Sequence, residues 1–278
     1  MSHPPVEGSP AADPLVSLLI PNRNNESVIE LTLERLVANT TYPSVELIVI
    51  DDGSADDSAA IADAAAARDP RVRVLRMPEN VGIARSLNAG LGAARAPVVA
   101  VQDADDLSAP HRLERQLELL DARPDVAVVG SRMREVDEQG AELRARTAFA
   151  AGDVRPVLLR FNPVPNTSAA FRREPVLAAG GYDPRYRYAM EYDLWLRLAE
   201  RHAIVALDEV LATRRMSRTN VAARRERAQI AEALAIRARA LRRRRTLRGA
   251  RGLVLPAISY LTPLPAKRAL RRRLGQAP

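Results

Sequence analysis

Short apolar runs alternate with helical patterns up to about residue 130, and no other feature constrains the fold of this chain more. Most of the runs are nearly continuous stretches of Val, Ile and Leu, which are typical of strands buried on both faces of a parallel sheet, whereas the run at residues 72–75 alternates. They cover Leu15–Ile20, Glu46–Ile50, Val72–Leu75, Val98–Val101 and Val126–Val129. Helical patterns fill the intervals, over residues 27–37, 58–67, 82–94 and 112–120. The alternation predicts an α/β fold with a mostly parallel sheet, right-handed crossovers and flanking helices.

The pattern changes after residue 130. The sequence predicts a strand and turn over residues 131–142, a strand over 166–172, an amphipathic helix over 191–199 and a last strand over 204–207. We expect these segments to complete the same domain, on the side where a second substrate would bind.

Acidic clusters follow two of the predicted strands. Asp103 and Asp105 form an Asp-x-Asp directly after one strand, and Asp51 and Asp52 follow another. Each cluster alone is more often a turn or a helix cap, because Asp is common in loops. Ligands of such sheets bind beyond the carboxyl ends of the strands, so the two clusters together indicate a site. Paired carboxylates suit Mg²⁺ or Mn²⁺ bound with a diphosphate, and an acid at residue 51 or 52 suits a base N–H or ribose hydroxyls.

Several classes of protein lose their support. The chain has no Cys and only three scattered His residues, which excludes a disulfide framework, a thiol nucleophile and a Cys-ligated metal site and argues against a site of several His residues. It has no G-x-G-x-x-G after the first strand, no G-x-x-x-x-G-K-[ST] and no G-x-S-x-G. Dinucleotide oxidoreductases, P-loop NTPases and serine hydrolases are therefore disfavoured.

The excess of positive charge is confined to the C-terminal end. The chain has 42 Lys and Arg against 34 Asp and Glu, a formal net charge of +8. Residues 223–278 hold 16 basic and 2 acidic residues and carry +14, while the other 26 basic and 32 acidic residues leave −6. An acidic body gives no reason to expect binding to nucleic acid.

The two ends of the chain are predicted to differ from the body. Residues 1–14 read as a flexible leader rather than a signal peptide, and no stretch reaches the ~18–20 apolar residues of a membrane span. Residues 223–278 are predicted to form a basic tail, with a long helix over 223–248, a short apolar stretch and a final basic cluster. That order is typical of attachment to an anionic membrane surface, and the alternative is a helix packed on the body. We expect a cytoplasmic protein, peripheral on the inner face of the membrane if the tail binds there.

Five ordered motifs resemble those of the family 2 glycosyltransferases, which have the Rossmann-like GT-A fold. They are LVSLLIPNRN at 15–24, ELIVIDDGSADD at 46–57, NVGIARSLNAG at 80–90, DADDLSAPHR at 103–112 and GGYDPRYRYAMEYDLWLRL at 180–198. The resemblance runs from about residue 15 to 221, which indicates a GT-A domain over 15–222 followed by the tail.

The resemblance implies an inverting transferase that moves a sugar from a nucleotide-diphosphate sugar, most often a UDP-sugar, to a saccharide or lipid-linked hydroxyl acceptor. Such enzymes usually use Mg²⁺ or Mn²⁺, and cell-envelope or exopolysaccharide synthesis is the expected setting. The resemblance places five residues at the nucleotide: Pro21, Asn24, Asp52, Arg85 and Asp103. It places Asp105 at the metal and the diphosphate. For Arg85, a solvated helix face is an equal alternative.

The general base implied by the family is an Asp of a Glu-Asp pair at a helix start, and here Met190-Glu191 matches that pair. Glu191 is therefore the expected base, one methylene longer than Asp. Asp193 would point roughly 200° around the helix from Glu191, so a structural bond is expected for it. Trp195 is a candidate for the acceptor floor, although a lone Trp on an amphipathic helix is more often a core residue.

Two departures from the family pattern stand out. Asn166 occupies a strand position where members often carry His, and Thr213-Arg214-Arg215-Met216 replaces a Tyr-Arg-x-His. A Met thioether is a poor ligand for a hard metal, so Arg214 or Arg215 is expected to neutralise phosphate instead. Two alternatives stay open: a nucleotidyltransferase, which would share the metal and nucleotide chemistry, and a non-catalytic protein that binds sugar nucleotides, which the departures at Met190 and Met216 allow.

Overall fold

One sheet forms the centre of the molecule. The computed structural model describes residues 14–39, 44–137, 139–143, 150–216 and 222–244. The strands are β1 (Val16–Asn22), β2 (Val45–Asp51), β3 (Val72–Arg76), β4 (Val98–Val101), β5 (Leu107–Ser108), β6 (Val126–Val136), β7 (Glu142–Leu143), β8 (Gly152–Asp153), β9 (Ala170–Arg172) and β10 (Ala203–Arg215). Their order in the sheet is β3-β2-β1-β4-β9-β6-β10-β5, with β7 beside β6 and β8 beside β10.

The first four long strands pair in parallel, as the sequence predicts. β1 lies between β2 and β4 in parallel register, and β2 pairs in parallel with β3. Every residue of β2 and β4 is buried, which explains why these segments read as continuous apolar runs. Parallel pairing brings the carboxyl ends of β1, β2 and β4 to one edge of the sheet.

Helices cover both faces of the sheet. They are α1 (Glu26–Asn39), α2 (Ser58–Arg68), α3 (Ile83–Ala93), α4 (Arg112–Ala122), α5 (Arg173–Ala178), α6 (Met190–Leu198) and α7 (Ala222–Arg244). One core cluster joins α3 and α6 to one face, and a second joins α1, α2 and α4 to the other. Two apolar layers on a central sheet confirm the predicted α/β class.

A buried carboxylate ties the parallel strands together at the edge opposite their carboxyl ends. Glu46 of β2 accepts hydrogen bonds from the Ser17 hydroxyl of β1 (2.6 Å), from Arg73 of β3 (2.6 Å) and from both the backbone amide and the guanidinium of Arg95 (2.8 and 2.9 Å). Burial raises the pKa of Glu46, but these hydrogen bonds outweigh it and hold the pKa below its usual value. The network fixes the mutual register of β1, β2 and β3 and the entry to β4.

The second half of the sheet departs from the predicted strand bounds. β9 runs antiparallel between β4 and β6, and β6 and β10 pair in parallel. β10 is much longer than the predicted 204–207, because register shifts near Leu207 and Val210 carry the pairing past two polar residues. Residues 213–215 therefore lie inside β10 and not after it. Asn166–Ser168 forms a 3₁₀ turn and not the start of a strand.

The predicted basic tail enters the described residues only as α7, which begins at Ala222 and ends at Arg244. Residues 1–13 of the predicted leader and residues 245–278 of the predicted tail lie outside the described part of the chain. Within the described residues, no helix combines the length and the apolar character that crossing a bilayer requires.

Candidate active site

The carboxyl edge of the parallel strands collects the acidic clusters, as the sequence predicts. Asp51 ends β2 and Asp52 follows it, and Asp103 and Asp105 lie in the loop after β4. The loop after β4 leads through β5 to α4, so it lies at the centre of the edge, where β4 changes to an antiparallel neighbour. A change of strand direction opens a crevice above a sheet, and ligands bind in such crevices.

The carboxylate of Asp51 accepts hydrogen bonds from Ser54 in its own loop and from Asn22 at the end of β1. One carboxylate oxygen accepts from the Ser54 hydroxyl and from the Asn22 side chain (3.4 Å), and the other accepts from the Ser54 amide (3.3 Å). The side chain is 5% exposed. Asp51 therefore shapes the loop and offers little surface to a ligand.

Asp52 binds the backbone of the segment that leads into α3. Its two carboxylate oxygens accept from the backbone amides of Val81 (2.8 Å) and Gly82 (3.0 Å). Gly82 has φ +86°, a conformation that glycine adopts without strain. Asp52 thus fixes the backbone that leads into α3. Arg85 lies in the first turn of that helix, and its exposed guanidinium lies 3.4 Å from the Val81 carbonyl.

The loop after β1 is held against the loop after β2. Asn24 adopts φ +52°, its amide donates to the Ser54 hydroxyl (3.1 Å) and its side-chain oxygen accepts from the Ala55 amide (2.9 Å). Pro21 lies opposite Ile50 in the parallel pair and is half-buried. These contacts build the two loops into one wall at the edge of the sheet.

The loop after β4 contains three carboxylates with different surroundings. The Asp103 amide donates to the Thr167 hydroxyl (3.1 Å), which joins the loop to the 3₁₀ turn. Asp105 is exposed and makes no hydrogen bond or ion pair with the described residues. Asp106 is 2% exposed, and its Oδ2 atom has no hydrogen-bond partner there.

A buried cation lies behind these carboxylates. Arg112 is 1% exposed and donates to the backbone carbonyls of Val101 (2.8 Å) and Ala169 (3.1 Å) and to the Ser108 hydroxyl (2.9 Å). Burial lowers the pKa of Arg112 to about 10, so the group stays charged at neutral pH. The charge of Arg112 offsets part of the repulsion within the acidic loop.

Burial and mutual repulsion raise the pKa values of two carboxyl groups in the acidic loop. Burial first, and then the charge of Asp105, raise the pKa of Asp103 to about 6. Burial and the charges of Asp103 and Asp105 raise the pKa of Asp106 well above its usual range. A bound cation would relieve this repulsion, which favours metal binding at the loop.

Glu191 lies in the first turn of α6 and faces the acidic loop. Its Oε1 atom accepts from the Asn162 side chain (3.0 Å). Burial is the main cause that raises the pKa of Glu191 to about 7, and the charge of Asp103 adds to it. A carboxylate with a pKa near neutrality is well matched to accept a proton in a reaction at physiological pH.

Three further side chains lie with Glu191 and the acidic loop. The hydroxyl of Tyr182 donates to Oδ1 of Asn166 (2.8 Å), and burial followed by the charges of Glu191 and Asp103 raises the pKa of Tyr182. Arg214 of β10 lowers the pKa values of Asp103, Asp106 and Glu191, so its guanidinium shares their surroundings. Tyr182, Asn166 and Arg214 therefore belong to the same site.

Two of the sequence candidates lie outside this site. Asp193 is 1% exposed and bonds Arg197 (2.7 Å), in agreement with the expected structural bond. Trp195 was a candidate for the acceptor floor, and the structure corrects that expectation. The indole is fully buried, donates to the Val164 carbonyl (2.9 Å) and packs 5.8 Å from the Phe171 ring, so it is a core residue.

Sequence reasoning missed four residues of the site. They are Asp106, Arg112, Asn162 and Tyr182. Asp106 and Arg112 stand within the quoted motif at 103–112, and Tyr182 within that at 180–198, so these motifs could have supplied them. No local signal marks Asn162, because its role depends on the loop that carries it to α6.

The acidic loop fits a hard divalent cation. Mg²⁺ and Mn²⁺ prefer oxygen ligands, and Mg²⁺ is often held by one or two carboxylates together with substrate phosphates and water. Asp105 offers a free carboxylate and Asp106 a buried oxygen without a partner. Among the described residues, no group of three or more His, Cys, Asp or Glu side chains is arranged to hold a metal ion.

Solved structures share this architecture. A mannosyltransferase from Pyrobaculum calidifontis, in complex with GDP-mannose and Mn²⁺, is 22% identical, with a TM-score of 0.65 over 97% of this chain and 82% of its own. S. aureus TarS in complex with UDP-GlcNAc is 17% identical, with a TM-score of 0.66 over 81% of this chain and 66% of its own. At these identities the likeness shows the GT-A fold.

Sequence comparison gives the family. The sequence profile described as glycosyl transferase family 2 matches residues 17–179. The amylovoran biosynthesis glycosyltransferase AmsE of Erwinia amylovora is 32% identical over 199 residues, which are 71% of this chain and 73% of that protein. The chain therefore belongs to glycosyltransferase family 2.

Proposed function

We propose that this glycosyltransferase moves a sugar from a nucleotide-diphosphate sugar to a hydroxyl acceptor, inverts the anomeric carbon, and uses Glu191 as the general base. The observation that carries the proposal is the position of Glu191, whose pKa is raised to about 7, beside an acidic loop that suits a metal diphosphate. Family membership disfavours the two alternatives, a nucleotidyltransferase and a non-catalytic binding protein.

The reaction is a single displacement. The acceptor oxygen forms a bond to the anomeric carbon while its hydroxyl proton passes to the carboxylate of Glu191. The bond from that carbon to the diphosphate oxygen breaks, and its electron pair leaves with the nucleoside diphosphate. Attack opposite the leaving group inverts the configuration, so an α-linked donor would give a β-linked product.

Asn162 holds the base for this step. Its side-chain N–H donates to Oε1 of Glu191 at 3.0 Å, which leaves Oε2 for the acceptor hydroxyl. A hydrogen bond to the ionised form also keeps the pKa of Glu191 from rising further. The base is thus oriented by one neighbour and tuned by burial.

The leaving diphosphate needs positive charge. Arg214 shares the surroundings of Asp103 and Asp106 and is half-exposed, so its guanidinium can approach a phosphate. Asp105, with Asp106 behind it, would hold Mg²⁺ or Mn²⁺, which would neutralise the developing charge on the diphosphate. The Mn²⁺ in the mannosyltransferase neighbour supports this proposal but does not decide between the two metals.

The nucleotide would lie against the wall formed by the loops after β1 and β2. That wall is lined by Pro21, Asn24 and the segment fixed by Asp52. Asp103 begins the acidic loop after the neighbouring strand β4. Neighbours are solved with GDP-mannose and with UDP-GlcNAc, so we propose a nucleotide sugar as donor, with UDP-sugars the first to test. Relatives named in amylovoran and O-antigen biosynthesis support a saccharide or lipid-linked acceptor.

A pH profile tests the role of Glu191. For donor hydrolysis in which water replaces the acceptor, kcat/KM should rise about tenfold per pH unit up to about 7 and then level off. The reason is that a raised pKa leaves Glu191 protonated, and unable to accept a proton, at lower pH. Steady-state kinetics with UDP-glucose, UDP-GlcNAc or GDP-mannose, whichever turns over fastest, would measure this. A flat profile between about pH 5.5 and 8 would contradict the assignment.

We further propose that the basic residues beyond α7 attach the protein to an anionic membrane surface on the cytoplasmic side. Residues 245–278 hold eight basic and no acidic residues, whereas Arg237, Arg239 and Arg243 of α7 contact the body. Exchange of Lys267, Arg268 and Arg271 to Arg273 for Gln should abolish flotation with phosphatidylglycerol vesicles, because each charge near such a surface contributes about 1 kcal/mol. Vesicles of phosphatidylcholine alone are the control. Equal flotation of both proteins would refute the attachment.

A further inference from the structure

The helix α7 is packed along α6 and is part of the catalytic body. Ile236 and Ala240 are buried in the core cluster that also contains the apolar residues of α6. The guanidinium of Arg237 lies 5.4 Å from the centre of the Tyr192 ring and donates to the Tyr192 hydroxyl (2.8 Å). Apolar burial together with a cation over an aromatic ring fixes α7 on α6.

Glu232 is the residue of α7 that reaches the start of α6. Its Oε1 atom accepts from the backbone amide of Arg187 (3.0 Å), and its Oε2 atom accepts from the amides of Tyr188 (2.7 Å) and Ala189 (3.1 Å). Ala189 is the residue that caps α6, and it has no side-chain oxygen to serve as a cap. A carboxylate from another helix therefore binds the three amides that lead into α6.

We propose that Glu232 is a positioning residue for the general base. Glu191 follows the last of the three bound amides by two residues, so the backbone that Glu232 holds sets where the Glu191 carboxylate lies. A negative charge at a helix N-terminus is also favourable in the field of the helix. The inference rests on the proposed role of Glu191 as the base.

The chemistry requires such control. Proton transfer depends on a donor–acceptor distance of about 3 Å, and a displacement of about 1 Å can cost about 100-fold in rate. The carboxylate of Glu191 can be placed no more precisely than the backbone that carries it, so the start of α6 must be held in place. Glu232 is one of only two acids in residues 223–278, so its charge stands out from a basic segment.

Glu200 offers a matched control. It lies beyond the other end of α6 and accepts from Arg243 of α7 (3.0 Å), so Glu200→Gln disturbs the same pair of helices away from the base. The comparison variants are Glu232→Ala and Glu232→Asp. All three would be tested in the full chain, with thermal unfolding as a check that each is folded.

The first readout is donor hydrolysis with UDP-glucose, UDP-GlcNAc or GDP-mannose. Glu232→Ala should lower kcat by about 30- to 100-fold and leave the donor KM within about twofold, since only the base is displaced. Glu232→Asp should recover part of the loss, and Glu200→Gln should change neither constant by more than about twofold. The second readout is amide hydrogen exchange, in which Glu232→Ala should speed exchange at residues 187–193 and Glu200→Gln should not.

Unchanged kcat or unchanged exchange in Glu232→Ala would overturn the proposal, and so would an equal loss of kcat in Glu200→Gln. If Glu232→Ala does not fold, Glu232→Gln, which keeps one acceptor oxygen, carries the same test. Glu191→Gln measured alongside separates the two ideas. If Glu191→Gln retains turnover, Glu191 is not the base. If Glu191→Gln is inactive and Glu232→Ala is fully active, Glu191 is the base but Glu232 does not position it.

Discussion

Replacement of Glu191 by Gln is expected to lower sugar transfer by about 1,000-fold while donor affinity stays within about threefold. Gln keeps the shape of the side chain and can still meet Asn162, but it cannot accept the acceptor proton. The raised pKa of Glu191 makes it the carboxyl in the site best matched to that role. Single-turnover transfer and calorimetric titration with the nucleotide sugar measure the two quantities separately.

Glu200→Gln is the control for this experiment too, because it removes the same charge near the other end of α6. Turnover of Glu191→Gln at more than about a tenth of the normal rate would assign the base elsewhere. Glu191→Asp adds a distance test, since it retains a carboxylate drawn back by one methylene. We expect its kcat to lie between those of the unmodified protein and Glu191→Gln.

Replacement of Asp105 by Asn is expected to remove most of the metal dependence of donor binding. In the unmodified protein, Mn²⁺ should strengthen binding of UDP-GlcNAc or GDP-mannose, and loss of the ligand should reduce that gain by about 10- to 100-fold. The physical reason is that Asp105 is the exposed carboxylate of the acidic loop and makes no hydrogen bond or ion pair with the described residues. Calorimetry in Mn²⁺ and in a chelator measures the difference.

Asp121→Asn is the matched control for Asp105→Asn. Asp121 is exposed in the last turn of α4, beyond which the chain enters the opposite edge of the sheet, so its loss removes one charge without touching the loop. Asp121→Asn should retain the full gain from Mn²⁺. The same gain in Asp105→Asn would show that the metal, if bound, is held by other groups.

The fold was largely predictable because its first half obeys simple rules. Buried parallel strands read as apolar runs, and β1, β2 and β4 carry such runs, so their existence and direction follow from the pattern. β10 was underestimated because Asp208 and Glu209 interrupt its apolar pattern where the pairing shifts register. The 3₁₀ turn at Asn166 was not predicted, because Asn-Thr-Ser followed by apolar residues has the pattern of a strand.

The site was predictable in its residues and less so in their roles. Asp103, Asp105 and Glu191 come together at one edge, as motif order and sheet topology require. Asp52 shows the difference between place and role, because its carboxylate binds the backbone of Val81 and Gly82, and the sequence gives no sign of that partner. For Trp195 the predicted place itself was wrong. An amphipathic pattern does not distinguish a ring that faces a ligand from one that is buried in the core.

The contact between α6 and α7 has a consequence for chimeras between this chain and its relatives. The matched family profile ends at residue 179, so it covers the acidic loop but neither α6 nor the long strand β10. Glu191 and Glu232 both lie in the part that follows, 41 positions apart and joined by three hydrogen bonds to one short segment. A chimera joined between α6 and α7 would pair a base with a foreign partner helix. We therefore expect a chimera to keep its base in place only when α6 and α7 come from the same protein.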